Sequence, residues 1–218
     1  MEKQRPWEER KPCLSRIVVM GGSFNPPTIA HYQLLTHALN ALQAQKGIFV
    51  PSSHAYVERK IRKAEDEESA FVLPEIARLK MLEGMCEDDS RLSVNTSELG
   101  TTYPKGHTLK TLDQIQKDHL DAEVYFIFGG DKLAGLPKWG SYEELITKYH
   151  IIIFKRDVID PCFEIMNNPL LAQHQDRFVI LDTPVDCEGI SSTSIRKLYK
   201  AMLHPKALQK IMEVFENA

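Results

Sequence analysis

The chain has 218 residues, with 27 Lys+Arg against 30 Asp+Glu and a formal net charge of −3. At 43% hydrophobic and 26% charged residues its make-up is that of a globular protein with enough length for one well-buried core. The near-neutral balance argues against a nucleic-acid surface, which needs clustered Lys/Arg, and no apolar stretch approaches the roughly 18 residues of a bilayer span.

In chain order, residues 1–15 read as a polar arm with Pro6 and Pro12. The arm lacks an apolar h-region, so no secretory signal is expected. A cytoplasmic protein is the expectation, with the nucleus left open because the basic residues are scattered. Arg16–Met20 is a β-branched apolar run closed by Gly21-Gly22, the pattern of a strand buried on both faces of a parallel sheet. Similar runs recur at Gly47–Val50, Val124–Phe128, Ile151–Phe154 and Phe178–Leu181, with a weaker one at Leu92–Val94.

Helical spacing fills the gaps. Leu34, Leu35, Ala38, Ala41 and Leu42 share one face; Ile76, Leu79, Met81 and Leu82 share another, with Pro74 near the helix start. Leu109, Leu112 and Ile115 mark a third helix, and Ser141 with Glu144 reads as a capping box for a fourth. Two more are expected at Ser192–Ala201 and Pro205–Phe215. Strands alternating with helices predict an α/β fold, a doubly wound (Rossmann-like) parallel sheet with helices on both faces. The expected organisation is one domain over 16–218, in which 190–218 form a small C-terminal helical segment.

One stretch breaks the alternation: Glu58–Glu68 carries nine charges in eleven residues, basic first and acidic after. It reads as a solvated loop, or as a substrate loop whose Lys60, Arg62 or Lys63 reaches a phosphate. The four cysteines, Cys13, Cys86, Cys162 and Cys187, form no close pair. Reduced, mostly buried thiols are therefore expected rather than a zinc site or disulfide framework. Apart from His31, the histidines show no ligand spacing.

Two segments carry chemistry. After the first strand comes Gly21-Gly22-Ser23-Phe24-Asn25-Pro26-Pro27-Thr28-Ile29-Ala30-His31, leading into an amphipathic helix. Glycines beyond a strand end let a ligand approach the backbone, and a helix N-terminus offers unpaired N–H groups and partial positive charge. His31 can add a hydrogen bond to a phosphate. The segment matches neither the GxGxxG fingerprint nor a P-loop. Read alone, it is a phosphate or nucleotide site or a plain structural turn. Near the other end, Gly189-Ile190-Ser191-Ser192-Thr193-Ser194-Ile195-Arg196 sets four hydroxyl residues before a helix, with Arg196 one turn in. This is either an anion clamp or an ordinary capped helix with a surface arginine.

At these residues the chain resembles the nucleotidylyltransferase superfamily, with its His/Thr-x-Gly-His and ISSTxIR signatures. Gly22–Pro26 with Thr28–His31 resembles the first, and Ile190–Arg196 matches the second almost letter for letter. Within the superfamily it most resembles the nicotinamide/nicotinic acid mononucleotide adenylyltransferases. Phe128-Gly129-Gly130-Asp131, Pro137-Lys138-Trp139 and Phe154-Lys155-Arg156 extend the likeness. There are departures. Thr28 replaces the first signature His, and Ala30 stands where the family has Gly, one methyl larger where backbone approaches phosphate.

The resemblance implies that the mononucleotide 5′-phosphate attacks the α-phosphorus of ATP and pyrophosphate leaves, forming NAD or deamido-NAD. His31 and Arg196 are then the catalytic residues. ATP would meet Gly22, Ser23, Phe24, Thr28, His31, Gly130, Asp131, Ser192, Thr193 and Arg196, with Asp131 on the ribose or metal. The mononucleotide would meet Asn25, Lys60, Tyr103, Thr108, Trp139 and Arg156, with Trp139 stacking on the pyridine ring. Mg²⁺ would be held mainly by phosphates and water, with no protein cage. The implied partners are ATP and a pyridine mononucleotide, with no nucleic acid or membrane; self-association is compatible with the sequence. Other outcomes left open are a phosphopantetheine adenylyltransferase, a cytidylyltransferase, or a silent nucleotide-binding relative.

Overall fold

The computed structural model describes residues 14–64, 71–101, 108–129, 133, 135–136, 139, 141–155, 160–187, 189–202, 206, 210 and 213. Six strands, β1 (Ser15–Gly22), β2 (Lys46–Pro51), β3 (Leu92–Val94), β4 (Ala122–Phe128), β5 (His150–Phe154) and β6 (Phe178–Leu181), form one sheet in the order β3-β2-β1-β4-β5-β6. Every neighbouring pair is parallel. This is the doubly wound arrangement expected from the alternation, and each apolar run named above is a strand.

Parallel strands buried on both faces send successive side chains to opposite layers. In β1, Ile17 and Val19 join one apolar cluster while Val18 and Met20 join the other. The first cluster is closed by Leu112 and Ile115 of α4 (Thr108–Asp118), by Leu145, Ile146 and Tyr149 at α5 (Tyr142–Lys148), and by Ile165 and Leu171. The second is closed by Leu35, Ala38 and Leu39 of α1 (Ile29–Leu42) and by Leu82 of α3 (Glu75–Cys86).

The strand order matters for function. Where it reverses, between β1 and β4, their following loops diverge and leave a crevice at the carboxyl edge of the sheet. The Gly21–His31 segment follows β1, and Phe128-Gly129 closes β4, so both sit at that crevice.

Several expectations are corrected. The charged stretch is not a loop over its first half: His54–Lys63 is helix α2. Ser53 caps it by accepting from the Tyr56 N–H at 3.3 Å. Lys60, Arg62 and Lys63 lie in its last turn, where the helix dipole favours cations. Residues 65–70 lie outside the described set. In α3 the buried residues are Ala77, Arg78 and Leu82, so of the apolar positions expected to face inward Leu82 does, while Ile76 is 38% exposed. Ser141 is the N-cap of α5 but makes no side-chain capping bond. Two short helices, α6 (Pro161–Asn167) and α7 (Pro169–Gln173), were not anticipated; each begins on a proline behind an Asp160 or Asn168 cap. Of the described cysteines only Cys187 is buried; Cys162 is exposed in the first turn of α6 and Cys86 is half-buried. Ser192–Met202 forms α8, and most of Pro205–Phe215 lies outside the described residues. No described helix is long and apolar enough to cross a membrane.

Gly47 is where the β2–β3 edge meets α1 most tightly. A Cβ there would stand 2.8 Å from Leu92 Cδ2 and 3.0 Å from Leu39 Cδ1, and both leucines are buried. Gly47→Ala is therefore expected to destabilise the fold by about 1–3 kcal/mol through overpacking. In urea unfolding this appears as a lower midpoint at unchanged slope; an unshifted midpoint would mean the leucines absorb the methyl.

Candidate active site

The first loop is built by what holds its carbonyls. The Gly22 carbonyl accepts from Ser52 N–H at 2.9 Å, and that of Ser23 accepts from Arg78 Nη1 at 2.8 Å. The Asn25 carbonyl accepts from Arg196 Nη1 at 2.6 Å, and that of Pro26 from Ser192 Oγ at 2.7 Å. Four of five consecutive carbonyls thus face donors supplied by other parts of the protein. Carbonyls facing inward leave the positive side of the loop backbone for an anion. The Asn25–Pro26 peptide is cis, and Phe24 has a φ of 43°, a left-handed conformation uncommon for a bulky residue. Its ring is fixed in the core, edge-on to Phe49 at 5.6 Å and to His31 at 5.0 Å. Gly22 lies under that ring, since a Cβ there would be 3.2 Å from it.

His31 lies at the third position of α1, after the Thr28 N-cap. Its Nδ1 accepts from the Thr28 backbone N–H at 3.0 Å and lies 2.7 Å from Thr28 Oγ1. A backbone N–H can only donate, so Nδ1 carries no proton. The neutral ring is therefore the Nε2–H tautomer, a hydrogen-bond donor at the start of a helix. Thr28 supports His31 as expected. Ala30 is buried, with its carbonyl 3.9 Å from Cys187 Sγ, so the residue that departs from the signature is packed against the 185–187 turn.

The second signature lands on the first. Ser191 and Ser194 form the capping pair of α8, each backbone N–H donating to the other's hydroxyl at 3.0 Å. Ser192 donates its hydroxyl hydrogen to the Pro26 carbonyl and so clamps the first loop. Arg196 is 5% exposed; it ties Asn25 to Thr193, whose Oγ1 accepts from Nη2 at 3.2 Å. Thr193 is exposed, and because its oxygen accepts, its hydroxyl hydrogen remains to be donated.

Asn25 holds structure in the same way. Its side chain is fully buried, donating to the Phe71 carbonyl at 2.8 Å and accepting from Leu73 N–H at 2.7 Å. It anchors the segment entering α3. Lys60 reaches the loop, its Nζ donating to Ser23 Oγ at 3.3 Å. Trp139 is 37% exposed and packs edge-on to Phe128 at 5.2 Å, leaving aromatic surface at the crevice. Thr108 opens α4, half-buried. Gly130, Asp131, Tyr103 and Arg156 lie outside the described residues.

Sequence reasoning missed Arg78. It has no accessible surface, and its Nε and Nη2 are buried without a hydrogen-bond partner. Burial lowers its affinity for the proton, with the Glu75 charge opposing that shift. Glu75 does not saturate it: one carboxylate oxygen accepts from His54 N–H at 3.1 Å and the other from Gly100 N–H. Each orphaned buried donor costs about 1–3 kcal/mol. The one hint in the sequence is an arginine adjoining the apolar positions of its helix.

The comparisons agree with this geometry. The family model described as cytidylyltransferase-like matches residues 19–198. A protein of Caldicellulosiruptor bescii named probable nicotinate-nucleotide adenylyltransferase is 30% identical over 202 residues, covering 90% of this chain and 95% of its own. One of the same name from Endomicrobium trichonymphae is 28% identical over 92% and 97% of the two chains. Among solved structures, Plasmodium falciparum nicotinic acid mononucleotide adenylyltransferase complexed with NaAD superposes with a TM-score of 0.62 at 19% identity, covering 90% and 89% of the chains, a likeness of fold. The family match spans both signature loops and the sheet between them, and the chain belongs to the cytidylyltransferase-like family.

Proposed function

We propose that the protein is an adenylyltransferase that joins the AMP part of ATP to nicotinic acid or nicotinamide mononucleotide, releasing pyrophosphate. The observation that carries this reading is the closure of the two signature loops on each other, Arg196 and Ser192 binding the Asn25 and Pro26 carbonyls beside a donor-type His31. The names of the relatives favour the nicotinic acid form as the first substrate to test. The cytoplasmic setting expected from the sequence belongs to the same proposal.

In the reaction a phosphate oxygen of the mononucleotide forms a bond to the α-phosphorus of ATP, and the bond from that phosphorus to the bridging oxygen of the β-phosphate breaks. The nucleophile is already an anion, so no side chain has to remove a proton. What the chain supplies is alignment of two anionic reactants and donors for the charge on the transferring and leaving oxygens. The His31 Nε2–H, the Thr193 hydroxyl, the N–H groups of the first loop and the charges of Lys60 and Arg196 fill that role. Gly130 and Asp131, which follow β4 in the sequence, are assigned to ATP by the family resemblance. Tyr103, Thr108, Trp139 and Arg156 are assigned to the pyridine mononucleotide, with Trp139 offering its face to the ring.

The donor set suits a magnesium ion that arrives on the triphosphate. Among the described residues no group of three or more His, Cys, Asp or Glu side chains could hold a metal ion, and the loop is lined with hydrogen-bond donors. Such an ion, when bound to the phosphates, neutralises their charge.

The purified chain, given ATP and Mg²⁺, is expected to release pyrophosphate with nicotinic acid mononucleotide or nicotinamide mononucleotide, and to form the matching dinucleotide by chromatography. Turnover only with phosphopantetheine, or with CTP and phosphocholine, would overturn the substrate assignment. His31→Ala is expected to lower kcat by about 10²–10³ at unchanged thermal midpoint, the usual loss for one preorganised donor. A near-parental single-turnover rate would remove His31 from catalysis.

A further inference from the structure

Lys60 and Arg196 stand where an anion site needs charge, but the third cation at the first loop is of a different kind. Arg78 has no solvent contact, one hydrogen bond to the Ser23 carbonyl, and two buried donors that meet no acceptor. An arginine kept for packing is normally saturated with acceptors. Methionine would fill a similar space without orphaned donors, and apolar replacement of buried charge is often neutral or stabilising. Packing therefore gives no reason for a guanidinium at this position.

Two local consequences do. A planar trans peptide sets its C=O and N–H on opposite sides. Arg78 draws the Ser23 carbonyl inward, so the Phe24 N–H faces away from it, out of the core. The same guanidinium places a full positive charge directly behind Gly22–Phe24, in hydrogen-bond contact with the loop and shielded from solvent. Charge in such a place is screened less by salt than charge on an exposed lysine. Lys60 stands on the same residue from the solvent side, at Ser23 Oγ, so the loop lies between a buried cation and an exposed one.

We propose that Arg78 is a positioning residue for the triphosphate of ATP, holding the Ser23 carbonyl inward and setting a fixed charge behind the Gly22–Phe24 backbone. It acts through the loop and does not touch the nucleotide. The inference rests on the nucleotidyl-transfer reading above.

The test uses the full chain with three variants, Arg78→Met, Arg78→Gln and Arg78→Lys. Met keeps volume and removes charge, Gln keeps a donor for the Ser23 carbonyl and removes charge, and Lys keeps charge without the fork. Folding is checked first by circular dichroism and thermal unfolding. Binding of tripolyphosphate by calorimetry and the KM for ATP are then expected to weaken about tenfold or more in Met and Gln, the scale of one lost charge-assisted interaction. The KM for the mononucleotide is expected to stay within about twofold, and Lys to recover most of the ATP affinity. A merely structural arginine would shift both KM values together and would not be rescued by lysine. Unchanged tripolyphosphate affinity in either folded neutral variant overturns the proposal. If the unmodified chain binds tripolyphosphate yet forms no dinucleotide, the transferase reading fails while the binding arm still decides the role of Arg78.

Discussion

A loop that binds an anion must turn its carbonyls away from it, and in this protein that requirement is met by four residues from three separate places in the chain. Ser52, Arg78, Arg196 and Ser192 each hold one carbonyl between Gly22 and Pro26. The conformation is not one that the loop residues prefer alone, as the left-handed Phe24 indicates. It is imposed by packing of the Phe24 ring and by donors that arrive from α3 and α8 and from the end of β2. Site geometry and tertiary structure are therefore one problem here: the loop is shaped only when those elements are in place.

The topology explains how donors so distant in sequence converge. Ser192 and Arg196 act on residues 166 and 171 positions earlier. The sheet runs outward from β1 in both directions, through β2 and β3 on one side and through β4, β5 and β6 on the other. After β6 the chain must return across the carboxyl edge to bring α8 to β1. The Ser191–Ser194 capping pair starts that helix so that its first turn meets the β1 loop and Arg196, its one buried residue, reaches inward. One guanidinium serves both the closure of the fold and the charge of the site.

Much of this was legible in the residues. The six strands announced themselves because buried parallel strands are continuous apolar runs, and the two loops because glycine, proline and hydroxyl clusters have few other uses beside a strand end or helix start. The hidden parts share a cause. α2 reads as a charge run because charged residues crowd its second half while only Val57 is buried. Asn25 reads as a polar loop residue exposed to ligand, yet its partners are backbone groups of residues 71 and 73, which leave no mark in side-chain identity. Ser192 and Thr193 are neighbours of one chemical type, and only the direction of their hydrogen bonds separates a clamp from a donor. Arg78 was hidden because a basic residue on an amphipathic helix ordinarily faces water.

That last case shows what the site asks of the fold. Three cations, Lys60, Arg78 and Arg196, are gathered at five residues of loop, and Arg78 gives its one hydrogen bond to the Ser23 carbonyl, not to a carboxylate. Glu75, the acid whose charge Arg78 feels, has both oxygens on backbone N–H groups. A carboxylate bonded to Arg78 would make a more stable resting protein, and it would also cancel the charge set behind the loop. Leaving Arg78 on a neutral acceptor keeps its field directed outward through the loop, at the expense of stability that two well-packed layers around a parallel sheet can supply. For Arg78, preorganisation thus consists less in touching the substrate than in keeping a charge that no bonded carboxylate satisfies beforehand.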